Sequence, residues 1–189
     1  IIQCATNHVR SYNLATGDLI WEDDGLTVNA IPTPVAANGV VYVTSGFRGN
    51  ALRAIRLAGA KGDISGSPAI LWSYDKYTPY TPSPLLLGGL LYFLKSNNGF
   101  LTCLDVSTGQ PHYSNQRLEG IGGVYSSPVG VQERVYILGR EGVTLVLRHG
   151  PEYNVMATNT LDDKFDSSPV IVGDEIYLRG YNYLYCIAR

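Results

Sequence analysis

Four times along the chain, a proline preceded by a small hydroxyl residue is followed eight positions later by a tyrosine. The units are Thr33-Pro34 with Tyr42, Ser83-Pro84 with Tyr92, Ser127-Pro128 with Tyr136, and Ser168-Pro169 with Tyr177. The prolines themselves lie 50, 44 and 41 residues apart. A fixed phase inside each unit and a variable distance between units describe one structural module joined by loops of unequal length. Repetition at this period is the signature of solenoids, propellers and arrays.

Each module reads as short strands. A small apolar run follows each proline, and a second run carries the tyrosine, as in Gly39-Val-Val-Tyr-Val43 and Gly89-Leu-Leu-Tyr-Phe93. Corners follow at Gly46, Asn98-Gly99, Gly142 and Gly180, then third strands at Leu52–Leu57, Leu101–Val106, Thr144–Arg148 and Leu184–Ala188. Asn13…Thr16-Gly17 and Asp105…Thr108-Gly109 are turns in which the side-chain oxygen accepts from the backbone. Fourth strands close on Trp21, Trp72 and Tyr113. Four antiparallel strands per unit of about 40 to 50 residues define a β-propeller blade. A proline at the head of the first strand suits a strand start with a free edge. A β-sandwich, the other all-β candidate, leaves the repeated eight-residue phase without a cause.

The expected fold is therefore all-β, a β-propeller of four-stranded antiparallel blades. The units fall at about 1–24, 30–75, 80–118, 124–160 and 166–189. The first lacks a first strand and the last lacks a fourth, so the chain reads as an incomplete arc of about four and a half blades. Open flanks at both ends are expected to fray or associate, chiefly over Ile1–Asp24 and Asp174–Arg189.

Charge and cysteine usage narrow the function. The 14 Lys and Arg oppose 16 Asp and Glu without long runs, so the basic footprint of a nucleic-acid binder is missing. The longest uncharged apolar run, Leu85–Leu94, is half the length of a membrane-spanning helix, which needs about 20 residues. Cys4, Cys103 and Cys186 are too far apart for a zinc or redox motif, and His8, His112 and His149 are equally scattered. Cys103 and Cys186 share one strand position with Ser11, Ala54 and Val146, all small, so both are expected to be buried, reduced and inert.

The segments Ser127-Pro128-Val129, Cys103-Leu104-Asp105-Val-Ser-Thr-Gly109 and Thr16-Gly17-Asp-Leu-Ile-Trp21 resemble the repeats of quinoprotein-like propellers, also called PQQ-like repeats. The resemblance covers nearly the whole chain. It implies a larger ring, usually of eight blades, with the missing blades of the same propeller as neighbours. It also implies a bacterial protein in the periplasm or outside the cell. Some members are pyrroloquinoline quinone dehydrogenases; others, of the outer-membrane assembly lipoprotein type, bind proteins and carry no cofactor. In the family the fourth strand docks against the adjacent blade, which makes Trp21, Trp72 and Tyr113 structural docking residues. The dehydrogenase pattern of an adjacent Cys-Cys pair and a Glu, Asn and Asp set for calcium is absent from this sequence. The reading is accordingly no cofactor, no metal site and no catalytic residue.

The candidate binding face is formed by the fourth-to-first and second-to-third loops, which carry Arg48, Tyr77, Tyr80, Lys95, Tyr125, Arg140, Phe165 and Arg179. Aromatics beside cations are the residue types that protein and carbohydrate sites use. Asp23, Asp24, Asp162, Asp163 and Asp166 share those loops. The leading functional expectation is a non-enzymatic scaffold for a protein or other ligand. The alternatives are a fragment of a quinone-dependent dehydrogenase and a carbohydrate- or ligand-sensing propeller attached to another domain.

Overall fold

A computed structural model describes residues 1–188, with Arg189 outside the described residues. The described residues form nineteen strands in five sheets. The first sheet holds β1 (Ile2–Ala5), β2 (His8–Tyr12) and β3 (Leu19–Asp23). The second holds β4 (Val35–Ala37), β5 (Val40–Ser45) and β6 (Ala51–Arg56). The chain then returns to the first sheet as β7 (Gly62–Asp63) before completing the second with β8 (Ile70–Tyr74). β9 (Leu85–Leu87), β10 (Leu90–Leu94), β11 (Phe100–Asp105) and β12 (Pro111–Arg117) form the third sheet. β13 (Val129–Val131), β14 (Arg134–Leu138), β15 (Val143–Arg148) and β16 (Val155–Thr160) form the fourth, and β17 (Val170–Val172), β18 (Glu175–Arg179) and β19 (Leu184–Ile187) the fifth. Apart from the excursion of β7, strand follows strand in antiparallel meanders, the topology of propeller blades, and the molecule is a propeller arc.

The eight-residue phase has a direct geometric cause. The residue after each proline pairs with the tyrosine: Val35 with Tyr42, Leu85 with Tyr92, Val129 with Tyr136, and Val170 with Tyr177. A two-residue turn between them fixes that register. Asn38-Gly39 and Gly88-Gly89 hold left-handed backbone at both turn residues, the conformation of a tight hairpin that matches strand twist.

Three of the four hydroxyls before a proline, those of Ser83, Ser127 and Ser168, also have a structural task. The backbone N–H of Thr33 donates to Ser83 Oγ, that of Ser83 to Ser127 Oγ, and that of Ser127 to Ser168 Oγ, each at 2.9 Å. Successive sheets are thus laced at the head of their first strands. A proline supplies no N–H, so the residue before it carries the donor, and a serine there also offers the acceptor.

Between sheets the core is built mainly of apolar side chains. Tyr42, Leu52 and Ala54 of the second sheet meet Leu91, Phe93 and Leu104 of the third. Tyr92, Leu94, Leu101 and Cys103 of the third meet Val135, Ile137, Leu145 and Leu147 of the fourth. Trp21 packs with Val41, Val43 and Ile55 across the first pair. The tyrosine pairs with a small residue, which pairs in turn with an aromatic: Tyr42–Ala54–Trp72 and Tyr92–Cys103–Tyr113. The middle residue is small because large rings flank it on the same face.

Two features differ from expectation. β7, a parallel addition that pairs Trp21 with Gly62 and Glu22 with Asp63, has no counterpart in the other units. Cys186 is exposed rather than buried, because no sheet covers its side of β19 among the described residues. Cys103 is buried as expected, and all three cysteines are free.

Candidate binding face

The loops that join one sheet to the next are clamped by backbone hydrogen bonds on both sides. The connector after β8 accepts from Ser96 N–H at Thr78 O and donates from Tyr80 N–H to Ser96 O. Its Thr78 hydroxyl donates to Ser45 O at 2.7 Å, tying it to the preceding sheet as well. The connector after β12 repeats this: Leu118 N–H reaches back to Gly99 O, and Gly123 O accepts from Arg140 N–H. The connector after β16 does so again, with Phe165 N–H on Arg140 O and Lys164 O accepting from Tyr181. A loop surface held this way is fixed in shape rather than left to solvent.

On this frame the aromatic and cationic side chains gather in three groups. Phe47 stacks on Tyr80 with ring centroids 4.7 Å apart, Arg48 lies over Phe47, and Asn29 Nδ2 donates to the Tyr80 hydroxyl. Lys95 Nζ sits 5.0 Å from the Tyr77 ring and 5.3 Å from Phe100, which Arg117 covers on its own account. Arg140 lies 4.2 Å over Tyr125 and grips Asp166 with two bonds of 2.6 and 3.1 Å. Tyr181 donates its hydroxyl to the same carboxylate at 2.6 Å. The Arg140 guanidinium, helped by Tyr181, holds the Asp166 carboxyl below the usual carboxylate range. Cations over ring faces are a modest attraction, about 0.5–1 kcal/mol at exposed sites.

Arg48, Tyr77 and Ser96 take left-handed backbone, at φ of 52°, 55° and 52°. For a tyrosine this conformation is an outlier, and such strain concentrates where a surface binds.

The sequence-derived face divides on inspection. Arg48, Tyr77, Tyr80, Lys95, Tyr125 and Arg140 stand in these three groups. Phe165 does not join them. It is fully buried against Leu138 and Leu178, because its N–H is pinned to Arg140 O and its ring turns inward toward Tyr185. Arg179 stands exposed at the end of β18, outside the three groups. Phe47, Phe100, Arg117 and Tyr181 complete the groups and were missed; Phe47, Phe100 and Tyr181 each directly follow a corner glycine, while Arg117 ends β12 and carried no such signal. The acidic residues separate too. Asp23 is buried with Arg53 at 3.1 Å, and burial pushes its carboxyl up. Asp163 works inside the fold, accepting from the backbone of Lys164, Asn182 and Tyr183.

Trp21, Trp72 and Tyr113 each meet the following sheet. Trp72 Nε1 donates to Val106 O at 2.9 Å, and its ring lies where a Cβ on Gly109 would stand. Tyr113 packs edge-on against Tyr153. Among the described residues, no three His, Cys, Asp or Glu side chains converge as a metal site.

A family profile described as outer membrane protein assembly factor BamB matches residues 4–189. The chain belongs to that family. No curated protein sequence matches it. Among solved structures, the computationally designed Ika8 protein superposes with a TM-score of 0.70 at 12% identity, over all of this chain and 57% of the design. BamB from Moraxella catarrhalis superposes at 0.50 and 11% identity, over 96% of this chain and 66% of that one. A europium-containing methanol dehydrogenase gives 0.53 at 16% identity, over 82% of this chain and 27% of the enzyme. At identities this low the superpositions show a shared fold and nothing beyond it. This member of the BamB family spans little more than half of the designed chain. No helix among its described residues is long and apolar enough to cross a membrane.

Proposed function

We propose that this BamB-family chain is a non-enzymatic propeller scaffold that binds a protein partner through the loop face of Arg48, Tyr77, Tyr80, Lys95, Tyr125 and Arg140. The observation that carries the reading is the combination of half-buried aromatic–cation groups, with Arg48 and Tyr125 exposed, and a hydrogen-bonded loop frame. Tyr, Trp and Arg dominate the energetics of protein interfaces, and a frame already fixed loses little entropy on binding. Family membership supports a periplasmic setting near the outer membrane and a protein partner. Likeness to a methanol dehydrogenase supports the fold alone.

The test has two arms. Photo-crosslinking residues placed at Tyr125 and Arg48 should trap a discrete partner in the cell envelope, while the same group at Gln132, on a hairpin turn at the other end of the sheets, should not. Equal trapping at both ends would overturn the assignment of the face. Titration with pyrroloquinoline quinone and calcium, followed by absorbance and dye-linked alcohol oxidation, should show neither binding nor turnover. Saturable binding with turnover would overturn the scaffold reading.

A further inference from the structure

We infer that the outer edge of β8 receives an extended peptide of a partner protein, laid parallel to the strand in the cleft between the second and third sheets. The inference goes beyond the loop-face reading and does not rest on it. It starts from what fills the corresponding place at the two neighbouring junctions. On the rim of the first sheet, β7 runs parallel to β3 and pairs Trp21 with Gly62 and Glu22 with Asp63. Ile64 N–H donates to Glu22 O at 2.9 Å, and the Ile64 side chain is buried in one cluster with Trp21. Ser65 Oγ then accepts from Asp24 N–H at 3.2 Å. At the third junction Tyr153, on the turn between β15 and β16, packs on Tyr113 with ring centroids 5.9 Å apart. The chain thus covers the outer aromatic of the first and third sheets with its own residues.

The second sheet has the aromatic and the edge without the cover. Trp72 pairs with Ala54 and Ser73 with Arg53, as Trp21 pairs with Ser11 and Glu22 with Arg10. Ser73 and Asp75 therefore stand where Glu22 and Asp24 stand. β8 is the last strand of its sheet, and both residues are exposed. The turn it faces, Thr108-Gly109-Gln110, carries no ring. What remains is an open cleft of about 650 Å³, walled by Trp72, Tyr74 and Tyr77 on one side and by Pro111 and Asn115 on the other. The Tyr74 hydroxyl and Ser114 Oγ, 2.9 Å apart, join the two walls. The cleft lies between two four-stranded sheets in the middle of the arc, where no further blade of the ring stands. The edge of β12 is blunted by Pro111 and by left-handed backbone at Asn115, so β8 is the strand left open to pairing here.

β7 also gives the chemistry of the occupant. A small residue lies opposite Trp72 and any residue opposite Ser73. A branched apolar residue follows, its N–H on Ser73 O and its side chain over Trp72, and then a Ser or Thr whose hydroxyl takes the Asp75 N–H. Lys76 comes next, exposed and without an ion pair among the described residues, so an acidic residue at the following peptide position completes the match. Strand addition of this kind takes its affinity from main-chain hydrogen bonds and its specificity from alternate side chains.

Nuclear magnetic resonance titration of the whole chain with the capped peptide Ala-Lys-Gly-Asp-Ile-Ser-Glu, the chain's own β7 sequence closed by an acid, tests this. The Trp72 indole N–H and the amides of Ser73 and Asp75 should shift saturably. The same peptide with N-methylated isoleucine lacks the N–H for Ser73 O and should bind at least about tenfold more weakly. Ser73→Pro, which an exposed strand edge tolerates, should weaken the unmodified peptide by as much, and Lys76→Glu by about threefold. Absence of saturable shifts, shifts confined to Arg48 and Tyr125 of the loop face, or equal binding of the N-methylated peptide would each overturn the inference. Crosslinking at Tyr125 and Arg48 reads the loop face alone, so either proposal can fail without the other.

Discussion

In the third sheet Leu85, Tyr92 and Cys103 form a cross-strand row that faces the fourth sheet, and Tyr92 and Cys103 are wholly buried there. In the fifth sheet Val170, Tyr177 and Cys186 form the same row in the same register. Here Val170 is more than half exposed and Cys186 stands in solvent. On the inner side of the fifth sheet an open cleft of about 540 Å³ lies between Tyr136, Thr158, Pro169 and Leu178. Identical local pattern therefore leads to opposite environments. Strand pairing is decided by the residues within a sheet, and burial by the sheet beside it.

The two cysteines should expose this difference most strongly. Burial pushes the Cys103 thiol up to about 12, with the hydroxyls of Tyr92 and Tyr113 beside it. Near pH 8 that leaves roughly one thiolate in ten thousand, and reagent must also wait for the sheets to part. Under maleimide at that pH, Cys186 is expected to react within the mixing time of a manual assay. Cys103 should react only on unfolding, a difference on the order of 10⁴ in rate or more. Mass-resolved labelling checks it. Comparable rates would mean that the third and fourth sheets do not pack as described.

The tyrosines sharpen the same comparison in stability. Tyr92→Ala removes a buried ring and leaves His149 Nδ1 and Gly150 N–H without their partner. Removal of a buried aromatic costs about 3–5 kcal/mol. Tyr177→Ala removes a ring whose hydroxyl donates only to Glu175 within its own sheet, so the cost should stay below about 1 kcal/mol. Urea denaturation of the two variants separates these values. Equal losses would show that something covers the fifth sheet in solution.

How far these differences can be read from sequence follows from what each depends on. The phase from Pro34 to Tyr42 was legible because register and a two-residue turn are local matters. The small residue between two rings was legible for the same reason. The lacing of Thr33, Ser83, Ser127 and Ser168 was visible as a repeated hydroxyl, but its task was not, since donor and acceptor are more than forty residues apart. β7 left no trace, because Gly62-Asp63 has neither apolar alternation nor β-branched residues and owes its pairing to Trp21 and Glu22. Phe165 and Cys186 failed for one cause. Whether a side chain is buried depends on a neighbouring sheet, and the sequence around Phe165 reads like any loop.

The loop end of the fifth sheet is held where its flank is open, and acid should release it. Asp166 joins Arg140 of the fourth sheet to Tyr181 of the fifth. The Arg140 hydrogen bonds, with a lesser contribution from Tyr181, keep the folded carboxyl below its ordinary value near 4. A carboxyl depressed on folding adds stability above its unfolded pKa and loses it as pH falls through the folded one. The pair is about a third exposed on each side, at 36% and 33%, so screening keeps the effect under roughly 1 kcal/mol. Below the ordinary carboxylate range, then, amide exchange at Tyr181–Tyr183 should quicken while that of β10 and β11 stays unchanged. Asp166→Asn should abolish the pH dependence and show the faster exchange already at neutral pH. If acid loosened the third sheet equally, the link between Arg140 and Asp166 would not be what distinguishes the fifth sheet's attachment, and general acid unfolding would explain the change instead.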